Sequence, residues 1–261
     1  MKQGEKTKGE FRMEPNYRYV RRTTVPGYGC DLKNQLKLSY LLKEVQQIST
    51  EQLDRLGITY RRLFEENKVF VLARLGLEIF RMPGDGEEMI LRTSPQGTRG
   101  AQFLREILIE TAAGERLANV QTSWLLVDPA DRRIHRPNQF GYTLPTIPEE
   151  LRMQEDYSAR RIQPKGEEIG HLVKEVRYSD MDVNRHLNNT VYADLVTDVL
   201  PLELMGSRTI RQFVINYQKE ARQGEQIDVH CLDGGDGWYY IVGRKAEDRC
   251  FEAMVQFADE L

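Results

Sequence analysis

Arg177-Tyr-Ser-Asp180-Met-Asp182-Val-Asn184-Arg-His186-Leu-Asn188-Asn189-Thr-Val-Tyr192 gathers the most distinctive chemistry of this chain into one short segment. The segment lies between a run rich in β-formers, residues 170–178, and a helical pattern from about 189 to 200 that Pro201 stops. Asn and Asp favour turns and helix caps, so one reading is a capped loop with solvated polar groups. A second reading starts from spacing. Asp182, Asn184 and His186 alternate, and an extended backbone would present all three on one side. Such a set could bind and polarise a water or a carbonyl.

Downstream, strands are expected over residues 210–219, 226–232, 238–245 and 250–258, with turns at Arg222-Gln-Gly224 and Asp233-Gly-Gly-Asp-Gly237. The upstream half runs in the same order. A strand is expected at 17–25 and an amphipathic helix over 37–56, where Leu38, Leu41, Leu42, Val45, Ile48 and Leu53 fall mostly at helical spacing. A break near Ser49 and Thr50 is allowed, and Gly57 is placed to end the helix. Further strands are expected at 69–75, 77–82, 89–93, 101–111 and 118–127. The proline-containing stretch 137–166 reads as a connector with one short helix. Strand, helix and four or more antiparallel strands, met twice at a period of roughly 140 residues, indicate a duplicated α+β unit. The expected architecture is a double hotdog fold, two tandem repeats each with a long helix wrapped by an antiparallel sheet. Its expected parts are a flexible tail over 1–14, a first hotdog domain over 15–137, a linker over 138–166 and a second hotdog domain over 167–261.

The 261 residues are 40% hydrophobic and 30% charged, ordinary for a folded protein. The net charge of −3 gives no reason to expect nucleic acid. Cys30, Cys231 and Cys250 are too few and too scattered for a disulfide framework or a zinc site, which suggests a reducing compartment. No apolar run approaches the roughly 20 residues needed to span a bilayer. The charged opening residues do not resemble a secretory signal, so a cytoplasmic location is expected, with no membrane span.

The segment 178–192 resembles the signature of the plant and bacterial acyl-acyl carrier protein (ACP) thioesterases, approximately Y-S-D-x-D-x-N-x-H-x-N-N-x-x-Y. Gly114-Glu115, Gln121-Thr-Ser-Trp124 and Asp131-Arg-Arg-Ile-His-Arg-Pro137 are similar to that family's T-G-E, S-x-W and T-R-R segments. The resemblance extends from about Tyr17 to Phe257. It implies hydrolysis of fatty acyl-ACP thioesters by a catalytic network of Asp182, Asn184, His186 and Glu220, the last in the Tyr217-Gln-Lys-Glu220 context. It also implies substrate contacts from Asn188, Asn189 and Tyr192, an acyl-chain cavity in the first hotdog lined by Leu41, Leu42 and Val45, and catalysis in the second. No cofactor and no metal is implied. The partner is an ACP carrying a fatty acyl chain. Many plant members carry a cysteine after the glutamate; here that position is Ala221, so water attack assisted by carboxylates, or a carboxylate nucleophile, is expected instead of a thiol.

Arg132, Arg133 and Arg136, or Arg160, Arg161 and Lys165, are candidates to meet the acidic carrier. A homodimer stays open, since a double hotdog already pairs two hotdogs within one chain. Open too are a hotdog thioesterase or hydratase acting on coenzyme A esters, and a non-catalytic acyl-thioester binding module.

Overall fold

Apolar residues three and four apart give residues 38–55 one buried helical face, and the segments after them alternate as strands do. The computed structural model of the protein describes residues 15–258. The tail expected over 1–14 lies outside the described residues. The first half contains β1 (Tyr19–Thr24), α1 (Leu38–Arg55), α2 (Tyr60–Glu65), β2 (Val69–Ile79), β3 (Glu88–Arg99), β4 (Gln102–Thr111) and β5 (Arg116–Val127). The second contains β6 (Glu167–Glu175), α3 (Val191–Val199), α4 (Leu202–Ser207), β7 (Ile210–Tyr217), β8 (Gln226–Asp233), β9 (Trp238–Lys245) and β10 (Asp248–Phe257). The ten strands form one sheet in the order β1-β3-β4-β5-β2-β7-β10-β9-β8-β6.

The halves meet where β2 pairs antiparallel with β7, from Arg74 opposite Asn216 to Glu78 opposite Gln212. Helices α1 and α3 touch each other and pack against the same core. Leu41, Leu42, Val45 and Ile48 of α1, with Ala193, Leu195 and Val196 of α3, are fully or nearly fully buried there. Phe213, Ile215, Ala253 and Val255 point into this core, while the alternating Val214 and Met254 face a separate cluster with Ile162 of the connector. This is the double hotdog arrangement.

Several local expectations are corrected. The strands expected at 69–75 and 77–82 are one, because Gly76 is no turn: β2 runs through it. β3 continues past Thr93 to Arg99 despite Pro95. Its pairing with β1 ends at Thr93 opposite Tyr19, and the register with β4 shifts between Pro95 and Gly97, so the missing N–H is lost where the ladder is already irregular. α1 is unbroken at Ser49, whose hydroxyl donates to the Val45 carbonyl at 2.8 Å. α2 and α4, at six residues each, were not anticipated, being too short to display a period. The connector holds three single 3₁₀ turns, at Pro137–Gln139, Glu149–Leu151 and Tyr157–Ala159, in place of one short helix.

The last of these turns straps the outer face of the joint. Tyr157 donates its hydroxyl to Glu78 Oε2 at 2.5 Å and its N–H to Gln121 Oε1 at 2.6 Å. Arg160 bonds Gln212 of β7. Gly76 lets the strap pass, because a Cβ there would sit 2.3 Å from the Tyr157 carbonyl carbon. Gly76→Ala therefore lowers stability by about 1–3 kcal/mol, the usual cost of overpacking. Urea unfolding followed by circular dichroism checks this, and an unchanged midpoint would mean the strap does not press on the sheet.

Candidate active site

Residues 181–187 form a tight turn, not the extended run that alternation suggested. Met181 bridges Leu187, Asp182 N–H donates to the His186 carbonyl at 2.8 Å, and Arg185 N–H to the Asp182 carbonyl at 3.0 Å. Arg185 adopts φ +63° to close the turn. The Asp182 carboxylate folds back inside it: Oδ1 accepts the N–H groups of Asn184 (2.8 Å) and His186 (3.2 Å), and Oδ2 accepts the Asn184 amide (3.3 Å). So the three residues do converge, through a carboxylate-nucleated turn.

The first repeat contains the same turn. Cys30 bridges Leu36, Asp31 N–H donates to the Gln35 carbonyl, Asn34 takes φ +59°, and Asp31 Oδ1 accepts from Lys33 and Gln35 N–H at 2.9 and 3.0 Å. Asp31 thus matches Asp182, while Lys33 and Gln35 stand where the second repeat has Asn184 and His186. The aspartate belongs to the turn in both copies; the amide and imidazole belong to one.

Glu220 follows the end of β7, where Gln218 and Lys219 both donate N–H to the Cys250 carbonyl and bend the chain. Its Oε2 lies 3.0 Å from His186 Nε2. Its Oε1 is paired with the guanidinium of Arg132, a residue at φ +64° in the turn after β5. The Leu187 N–H to Ala221 carbonyl bond, 2.8 Å, ties the two segments together. Arg132, a candidate to meet the carrier, is an ion-pair partner of Glu220 at the site, supplied by the first repeat. A second contribution from the first repeat carries no signal in the sequence. Tyr60, at the start of α2, donates its hydroxyl to Asn184 Oδ1 at 2.8 Å.

Tyr60 also lines a cavity of about 150 Å³ between α1, α2 and the first-repeat sheet, together with Leu53, Ile58, Leu63, Phe70, Phe103 and Trp124. Leu41, Leu42 and Val45 lie one to three turns earlier on α1, in the main core, and do not line it. Asn188 Oδ1 accepts the Thr190 N–H and hydroxyl ahead of α3. The Asn189 carbonyl accepts from the Tyr217 hydroxyl at 3.1 Å. Tyr192 is buried, edge-on to Tyr217 and Phe251.

Comparison with known proteins matches residues 16–139 to the acyl-ACP thioesterase N-terminal domain and residues 164–252 to the acyl-ACP thioesterase C-terminal domain. The chain belongs to the acyl-ACP thioesterase family. It is 22% identical over 234 residues to oleoyl-acyl carrier protein thioesterase 2 of Arabidopsis thaliana, covering 83% of this chain and 63% of that relative. It is 24% identical over 175 residues to the palmitoyl-acyl carrier protein thioesterase of the same plant, covering 60% of this chain and 40% of that one. The chain thus spans less than two thirds of these relatives. Among solved structures, an acyl-ACP thioesterase from Bacteroides thetaiotaomicron superposes with TM-score 0.80 at 18% identity, over 93% of this chain and 98% of that one. The 12:0-ACP thioesterase of Umbellularia californica gives 0.78 at 16%, over 94% and 95%. These share the fold.

In this thioesterase-family chain the thiols are poorly suited to attack. Burial raises the thiol pKa of Cys30 and Cys250 and pushes that of Cys231 up to about 12. Ala221, after Glu220, is fully buried. Among the described residues no group of three His, Cys, Asp or Glu side chains could hold a metal ion. His171 and His230 stack on each other between β6 and β8, bonded to Asp228 and Glu168. In the folded protein at pH 8, Cys231 and Cys250 should react with a chromogenic disulfide at least a hundredfold more slowly than after denaturation. Rapid titration of both thiols in the native state would contradict the burial described.

Proposed function

We propose that this chain hydrolyses fatty acyl-ACP thioesters, releasing free fatty acid and ACP and so ending chain elongation. The observation that carries the reading is the meeting of the Asp182–Asn184 and His186–Glu220 pairs beside an apolar cavity whose wall, at Tyr60, touches the network directly.

A thioester carbon is already electrophilic, so the site must place a water, accept its proton and stabilise the tetrahedral oxyanion. With Nε2–H directed at Glu220, neutral His186 leaves Nδ1 as the acceptor for a water proton. Glu220, held by Arg132, then faces the imidazolium and offsets its charge. Asp182 is engaged by three N–H donors, which supports a role in shaping the turn, and Asn184 is the amide placed to hold water or the carbonyl. Asn188 and Asn189 lead into α3, whose positive end is the place proposed for the thioester oxygen. The departing thiolate, with an ordinary thiol pKa of roughly 8.5, needs little assistance.

The carrier fits the charge at the rim. Arg133, Arg136 and Arg185 are exposed, stand within a few residues of Arg132 or Asn184, and have no ion-pair partner among the described residues, and exposed Arg222, beside Glu225, lies two residues from Glu220. Lys165 is tied to Asp236 and Arg160 lies over Tyr157 and Trp238, so the connector cluster is the weaker candidate. The site draws on both repeats of one chain and does not require a homodimer. Three free thiols suit a reducing compartment.

Release of free acid from matched acyl-ACP and acyl-coenzyme A panels tests the reading. Preference for ACP esters, lost by on the order of a hundredfold or more in His186→Ala and Glu220→Gln, is expected. Hydrolysis of coenzyme A esters alone, or of neither, would overturn it. Two further variants separate the carboxylates. Asp182→Asn, which keeps an acceptor for the turn, should retain far more turnover than Asp182→Ala; equal losses would make the Asp182 charge chemical. Arg132→Ala should lower kcat on the order of tenfold to a hundredfold, the value of one charged hydrogen bond.

A further inference from the structure

We propose that Tyr60 is a positioning residue that reports occupancy of the acyl cavity to Asn184, so that a chain filling the cavity raises turnover and not only affinity. The inference rests on the thioester hydrolysis proposed above and deepens it.

Tyr60 has two faces of different chemistry. Its ring is part of the cavity wall beside Ile58, Leu63 and Phe70 and stacks on Phe64 at 5.9 Å. Its hydroxyl donates to Asn184 Oδ1 at 2.8 Å, across 124 positions of sequence. A primary amide carries its oxygen and nitrogen on opposite sides of one carbon, so fixing Oδ1 fixes Nδ2 as well. Nδ2 is then directed at Asp182 Oδ2, 3.3 Å away. Asn184 is exposed, and these are its side-chain bonds within the protein. Without the phenol, the 3.3 Å contact to Asp182 alone would hold the amide, and Oδ1 would lose its fixed direction. Tyr60 itself is half exposed at the first position of α2, where Thr59 caps the helix through Arg62 N–H. An acyl chain in the cavity would lie along the ring and restrain it. Restraint of the ring restrains the amide, so energy from a remote part of the substrate would be realised at the reacting centre.

Pseudo-symmetry supplies a control. In the first repeat Lys33 occupies the position matching Asn184, and its Nζ donates to the Arg208 carbonyl just beyond α4 at 2.6 Å. That twin contact also joins the two repeats, but Lys33 carries no amide and does not line the cavity. If cross-repeat bracing were all that mattered, losing either contact would have similar consequences.

The kinetic test compares wild type, Tyr60→Phe and Lys33→Met on acyl-ACP esters of increasing chain length. Wild type should show kcat rising until the cavity is filled. Tyr60→Phe, which keeps the ring and its stacking, should lose about tenfold in kcat with KM little changed, and its kcat should no longer depend on chain length. Lys33→Met should behave as wild type. Wild-type kcat in Tyr60→Phe, or a loss confined to KM, would overturn the proposal. A spectroscopic arm needs no hydrolysis. The Asn184 side-chain amide pair is identified in ¹⁵N spectra by its loss in Asn184→Ser, and S-dodecylpantetheine, a thioether that cannot be cleaved, is added. The pair should shift in wild type and stay in place in Tyr60→Phe. No shift in wild type, or equal shifts in both, would overturn the coupling. Failure of the wild type to cleave any ester would instead overturn the proposed activity, with the spectra still deciding whether cavity and amide communicate.

Discussion

The pairing of β2 with β7 is the contact on which the rest of the structure depends. Five residue pairs, from Arg74–Asn216 to Glu78–Gln212, turn two separate sheets into one ten-stranded sheet and set α1 beside α3 over a shared core. The joint is braced on its outer face by Tyr157, Arg160 and Arg211, which bind Glu78, Gln121 and Gln212 around the narrow passage at Gly76. On the inner side the same joint brings first-repeat segments against the second-repeat turn. Arg132 and Tyr60 reach Glu220 and Asn184 across this joint.

Within that frame the two copies diverge by substitution on a retained turn. Asp31 and Asp182 close their loops with nearly identical bonds, so the aspartate alone says nothing about catalysis. What separates the copies is the side chains that the turn displays. Asn184 and His186 find Tyr60 and Glu220 opposite them, whereas Lys33 reaches a backbone carbonyl. The first repeat, relieved of that chemistry, places large aromatics such as Phe70, Phe103 and Trp124 around a cavity.

The architecture was legible because hydrophobic periodicity repeats over long elements. α1 and the strands of both halves bury the faces their patterns indicate, and glycine ends α1 where expected. The segments that were misread share one property, that local pattern was overridden by something distant. Gly76 reads as a break but is an accommodation for Tyr157, 81 positions away in sequence. The strand expected at 89–93 runs on through Pro95, which falls where β3 has lost its partner β1. The candidate site was half legible in the same sense. Asp182, Asn184, His186 and Glu220 stand out by type and motif, although alternation was the wrong reason for the first three to converge. Tyr60 carries no local signal, and Arg132 stands out by type but not by partner, because the contacts of both come from the β2–β7 joint and from a positive φ at Arg132.

The electrostatics of the site follow from this shared construction. Glu220 stands between a permanent cation and an ionisable one, and the two arrive from different repeats. The Arg132 contact holds one Glu220 oxygen independently of His186, which suits the proposed role of His186 as the group that accepts a water proton. Had both partners come from the second repeat, the geometry would be fixed by one loop and would vary with that loop alone. Because Arg132 belongs to the first repeat, the alignment of Glu220 is tied to the docking of the half that holds the cavity. Tyr60 applies the same logic to Asn184. In the proposed reading the acyl chain binds in one repeat and is cleaved by the other, and Arg132 and Tyr60, which orient Glu220 and Asn184, both belong to the repeat that holds the cavity.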